Sequence, residues 1–103
     1  MSIKFYNSYS RKKESFKPII DGKVGLYTCG PTVYDFAHIG NFRTFLFEDL
    51  LKRWLIHNGY DVTHIMNITD VDDKTITMAK NQNIDLNIIT EKYTEQFLSL
   101  IHI

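Results

Sequence analysis

Between residues 24 and 68 the hydrophobic period changes twice, and that switch constrains the fold more than any other feature of the chain. Val24-Gly-Leu-Tyr-Thr-Cys29 is a short β-prone run closed by Gly30-Pro31. Phe47, Leu50, Leu51, Trp54 and Leu55 then recur at helical spacing, which predicts one apolar stripe on a long helix over about residues 40–58. Asn58-Gly59 ends it, because glycine takes the left-handed conformation past a helix end without strain. Val62, His64, Met66 and Ile68 alternate with Thr63, Ile65 and Asn67, as in a strand covered on both faces. Strand, long helix and strand make a βαβ unit with parallel strands and a right-handed crossover. The expected fold class is α/β, a parallel sheet with flanking helices.

The flanking segments add less. Ile3 to Tyr6 leans to strand, and Ser8 to Lys17 is polar, a loop or hairpin arm. Asp21-Gly22 is a turn signal. Asp70, Asp72 and Asp73 open a short helix to about Lys80, with carboxylates where the helix dipole favours them. Asn81-Gln82-Asn83 breaks it, and Leu86, Ile89, Tyr93, Phe97 and Ile101 form a further helical stripe. A lone βαβ unit leaves sheet edges and faces uncovered, so residues 1–103 are expected to be an incomplete piece of a larger α/β domain. The apolar, uncapped end at Leu98, Leu100, Ile101 and Ile103 carries the same expectation.

Composition narrows the function classes. With 44% hydrophobic residues and 12 basic against 12 acidic groups, the chain is neither disordered nor a uniformly basic nucleic-acid binder. Residues 1–25 hold six basic residues against two acidic ones, which reads as a solvated surface segment or as a patch near a polyanion. Cys29 is the single cysteine, so no intramolecular disulfide forms. No apolar run approaches the ~20 residues of a membrane helix, and the N-terminus lacks a signal-peptide core, so a cytoplasmic setting without membrane contact is expected.

Chemistry concentrates in Tyr27 to Arg43, between a strand end and a helix start, where open α/β sheets bind ligands. Free backbone N–H groups at the helix start favour phosphate, and Gly40 lets another group approach the backbone. His38 and Asn41, three residues apart, add side-chain donors that could stabilise developing charge, or merely cap the helix. Cys29 is a small buried hydrophobe or one of about four zinc ligands, the others lying beyond this chain or far along it. The carboxylates of Asn67-Ile-Thr-Asp-Val-Asp-Asp-Lys74 either open a helix or bind magnesium, the helix start being favoured. Thr69 is expected to face the same cleft as Cys29 and His38. His57, His64 and His102 receive no chemical role.

Taken jointly, Leu26-Tyr-Thr-Cys-Gly-Pro-Thr-Val-Tyr-Asp35, His38-Ile-Gly-Asn41 and Asn67 to Lys74 resemble the start of bacterial cysteinyl-tRNA synthetases, as do Lys4-Phe-Tyr-Asn7 and Arg11 to Pro18. The likeness runs from about residue 3 to residue 80. It implies the N-terminal part of a class I synthetase catalytic domain of Rossmann type, with nucleotide binding. His38 to Asn41 resembles the H-I-G-H signature, with Asn in the last place. The resemblance implies catalytic roles for His38 and Asn41, and ATP contacts by Pro31, Thr32, His38, Ile39, Gly40 and Asn41. It places Cys29, Gly30 and Thr69 at the cysteine substrate, with Cys29 on a zinc ion. A soft thiolate bound to zinc separates cysteine from serine far better than a hydrogen bond does. ATP with magnesium, cysteine and tRNA are the implied substrates of a parent enzyme expected to act as a monomer. The remaining zinc ligands and the K-M-S-K-S loop of the family are absent from this sequence, so the chain alone is expected to be inactive. A mycothiol-type cysteine ligase of the same core, and a stand-alone nucleotide-binding module, are the alternative functions.

Overall fold

The computed structural model describes residues 2–102. Its elements run β1 (Lys4–Asn7), β2 (Lys12–Ser15), β3 (Lys23–Thr28), α1 (Ile39–His57), β4 (Asp61–Met66), α2 (Asp73–Gln82) and α3 (Leu86–Ile101). β3 and β4 pair in parallel from Lys23 with Asp61 to Thr28 with Met66, and α1 is their crossover, as the switch of period predicts. Gly59 sits at φ +87° just past α1, with its N–H donated to the Ile56 carbonyl at 2.9 Å. That left-handed step releases the chain into β4.

The polar start resolves into a hairpin. β1 and β2 pair antiparallel, Lys4 opposite Ser15 and Asn7 opposite Lys12. β2 carries no apolar alternation because Lys12-Lys-Glu-Ser15 is exposed throughout, which is why its strand character is hidden in the sequence. Edge-to-face contacts from Phe5 to Phe16 (5.4 Å) and from Phe16 to Tyr60 (5.8 Å) tie the hairpin to the residue before β4.

Beyond the last paired residues, the two strands do not simply separate. Thr32 bridges Thr69 in parallel, so four steps from Thr28 on one side match three from Met66 on the other. The extra residue falls within Cys29–Pro31, a bulge-like offset that leaves Cys29 exposed. Gly30 passes so close to β4 that an added Cβ would run into the Asn67 carbonyl oxygen. Its N–H donates to Asn67 Oδ1 at 2.7 Å. The Thr69 N–H donates to the Pro31 carbonyl at 2.9 Å, and the Val33 N–H to the Thr69 carbonyl at 3.1 Å.

This stitching carries Val33 into the main core cluster, with Ala79, Ile89 and Tyr93, against which Ile68, Met78 and Leu86 pack. α2 and α3 are thereby held at the carboxyl end of the sheet. α2 begins where the aspartates predict: Asp72 caps it by accepting from the Lys74 N–H at 3.0 Å, and Thr75 Oγ1 accepts from the Asp72 N–H at 3.0 Å. Asn83, at φ +51°, ends it. Ile89, Tyr93 and Phe97 of the last stripe are buried, whereas Ile101 is exposed.

The α1 stripe departs from expectation. Of Phe47, Leu50, Leu51, Trp54 and Leu55 only Leu55 is buried, and Glu48 is buried beside it. The helix is apolar on two opposite sides, and the sheet takes the side that carries fewer large apolar residues.

The close pass at Gly30 yields a direct test. Gly30→Ala forces backbone to move and is expected to lower stability by about 1–3 kcal/mol. Gly25→Ala, with nothing near its added Cβ, is expected to leave the urea unfolding midpoint unchanged or slightly raised.

Candidate functional site

A cavity of about 290 Å³ opens at the carboxyl end of β3, between the Cys29–Ala37 loop, the first turn of α1, and α2 and α3. Cys29, Gly30, Pro31, Thr32, His38 and Asn41 all line it. Three other expected site residues do not. Ile39 projects outward and is exposed. Gly40 lacks a Cβ where one would meet the ring of His38 itself, so the space it leaves is used inside the turn. Thr69 acts through its backbone, holding Pro31 and Val33, and its side chain is not part of the lining.

His38 and Asn41 form a reciprocal cap on α1. The Gly40 N–H donates to His38 Nδ1 at 3.1 Å, and the His38 N–H donates to Asn41 Oδ1 at 3.0 Å. Capping and ligand binding are therefore not exclusive, because they use different atoms. A neutral ring that accepts at Nδ1 carries its proton on Nε2, and an amide that accepts at Oδ1 keeps both Nδ2 hydrogens. The first turn of α1 contains no acidic residue, in contrast to α2 with Asp73, so its positive end is left uncompensated.

The cavity also recruits residues that sequence spacing did not single out. Lys74 lines it from the first turn of α2, its Nζ 5.4 Å from the centre of the Tyr34 ring. A cation is disfavoured at a helix N-terminus, and no carboxylate pairs with Lys74 among the described residues. The aromatic face holds the ammonium without neutralising it. Asp35 is the one acidic lining residue, and its Oδ1 accepts from the Phe36 N–H at 2.8 Å. Tyr93 and Phe97 close the side formed by α3, Tyr93 meeting Phe36 edge-to-face at 5.1 Å and Phe97 meeting Phe45 at 5.2 Å. Lys74 closes a sequence block already marked, whereas the return of α3 to this loop leaves no local signal.

Cys29 supplies one exposed thiol, its Sγ 3.8 Å from the Gly30 carbonyl oxygen. No group of three or more His, Cys, Asp or Glu residues fit to hold a metal ion occurs among the described residues. The donors present therefore do not make a zinc site. Asp72 caps α2 and Asp73 lies in its first turn, the helix start favoured from the sequence. His64 Nε2 lies 2.8 Å from Thr28 Oγ1 across the strand pair. Among the described residues no helix is long and apolar enough to cross a membrane.

Residues 15–102 match the family model described as tRNA synthetases class I (C) catalytic domain. The chain is 63% identical to the cysteine–tRNA ligase of Chlamydia pneumoniae, over 90% of this chain and 19% of that protein. It is 59% identical to the ligase of the same name from Brachyspira hyodysenteriae, over 92% of this chain and 20% of that protein. For Chlamydia trachomatis serovar D the figures are 55% identity, the whole of this chain and 22% of the relative. The chain thus spans about a fifth of the length of these curated relatives. With a matched segment that takes in β3, α1 and β4 and every residue of the cavity, this chain belongs to the family of class I (C) tRNA synthetase catalytic domains.

Proposed function

We propose that the chain provides the phosphate-binding corner of an ATP-dependent cysteine–tRNA ligase, the parent enzyme activating cysteine to cysteinyl-adenylate and passing it to tRNA. The observation that carries this reading is the division of labour at the α1 cap. Each capping side chain spends its acceptor on the helix and retains its donors, and both line one cavity. His38 Nε2–H, the Asn41 amide and the Lys74 ammonium make the lining a donor set, suited to ATP phosphates. Such donors stabilise charge that develops on the α-phosphate as the cysteine carboxylate attacks and pyrophosphate leaves. Magnesium would accompany ATP as part of the substrate, and no residue is assigned to hold it.

Cys29 fits the reading as one thiolate of a zinc site whose other ligands come from outside residues 1–103. With a single donor in hand no step is derived through the metal. Cysteine and tRNA as partners rest on the names of the relatives, and a cytoplasmic setting rests on the sequence expectation alone.

Two measurements test the proposal. In a fusion of this chain to the remaining four-fifths of the Chlamydia pneumoniae ligase, cysteine-dependent exchange of pyrophosphate into ATP is expected, whereas the 103-residue chain alone stays at background. In that fusion Cys29→Ser is expected to lower zinc content and cysteine activation together. Zinc retained with activity lost contradicts the ligand role. Exchange without charging of tRNA supports the mycothiol-type cysteine ligase instead.

His38→Asn separates cap from catalysis. Asparagine is among the best N-caps, so the unfolding midpoint of the 103-residue chain is expected to hold, while His38→Ala costs about 1 kcal/mol. Exchange by the fusion is expected to fall roughly 10²–10³-fold for both variants, because both lose Nε2–H. Full exchange by His38→Asn contradicts the donor role.

A further inference from the structure

The outer side of α1 is largely apolar, with Arg43 the one acidic or basic side chain near its start. Ile39, Leu46, Phe47, Leu50 and Trp54 are 88%, 68%, 64%, 64% and 41% exposed. At 3.6 residues per turn they fall within an arc of about 100°. Leu55 and the buried Glu48 lie on the opposite side, against the sheet. A helix that is apolar on both sides belongs inside a larger core. The fold around it is open in the same sense. A parallel sheet is ordinarily covered on both faces, yet Tyr27 and Ile65 leave the face away from α1 exposed. The radius of gyration is 17.1 Å, against about 13 Å for a closed domain of this length.

We infer that the Ile39–Trp54 stripe is an intramolecular interface, covered in the parent protein by the polypeptide that corresponds to the remaining four-fifths of the relatives. The share of those relatives outside the match supplies the occupant. The required partner is a second apolar layer that runs along the length of α1 and does not enter the cavity. Only the face of α1 turned away from it is free, and Asn41, Thr44 and Phe45 on the other side already line the cavity. The inference rests on family membership and is independent of cysteine activation.

Hydroxyl-radical footprinting read by mass spectrometry tests it, comparing the 103-residue chain with its fusion to the remainder of the Chlamydia pneumoniae ligase. Labelling follows exposure, so Phe47 and Leu50 are expected to label roughly five-fold more slowly in the fusion. Tyr9, 98% exposed on the hairpin, labels equally in both. Leu50→Lys supplies a second readout, leaving the urea midpoint of the isolated chain unchanged and lowering that of the fusion. Equal labelling of Phe47 and Leu50 in the two proteins overturns the inference. So does an isolated chain that sediments as a dimer with the stripe already protected, since a second copy is then the occupant. Protection in a fusion without pyrophosphate exchange upholds the interface and counts against the ligase reading alone. Exchange without protection overturns the interface alone.

Discussion

The close backbone contact between Gly30 and Asn67 is the constraint on which the site depends. The paired strands end at Thr28 and Met66, and two free ends there would let the intervening loop wander. The Gly30 N–H on Asn67 Oδ1, followed by the exchange of hydrogen bonds between Thr69 and the Pro31–Val33 segment, continues the ladder with one residue out of step. Only a residue without Cβ allows that approach. The result sets the exposed Cys29 at the edge of the cavity and anchors the loop through buried Val33.

From that anchor the chain reaches α1 through a second constraint, the cap made by His38 and Asn41. Helix starts leave N–H groups without partners, and here two side chains accept from two backbone N–H groups, those of His38 and Gly40. Because the acceptors are consumed, the lining that remains is rich in donors, and the positive end of the helix dipole has no carboxylate in its first turn to offset it. Lys74 adds charge from α2 and is held over Tyr34 instead of being neutralised. Local folding requirements and the donor-rich lining thus arise from the same few residues.

Much of this was legible in the residues. The switch of period around α1, Gly59 as the release from the helix and Asp72 as the cap of α2 all rest on local rules, and the fold follows them. The buried side of α1 was not legible, since a helix apolar on opposite sides offers two stripes, and tertiary context chose the one with fewer large apolar residues. The site divides in the same way. Cys29, His38 and Asn41 lie in one contiguous loop-and-cap segment, so their meeting is a local matter. The exclusion of the Thr69 side chain depends on a one-residue offset between strands, and the arrival of Tyr93 and Phe97 on the return path of α3, neither of which has a sequence signature.

The α1 cap fixes the chemical face His38 presents to the cavity. Long-range ¹H–¹⁵N correlation of the imidazole ring reports this directly, at a pH where the ring is neutral. The proton is expected on Nε2, with Nδ1 showing the shift of an accepting nitrogen, and Asn41→Ala is expected to leave this tautomer in place because the Gly40 N–H still donates to Nδ1. A ring protonated on Nδ1, or one averaging between tautomers as in a free side chain, contradicts it.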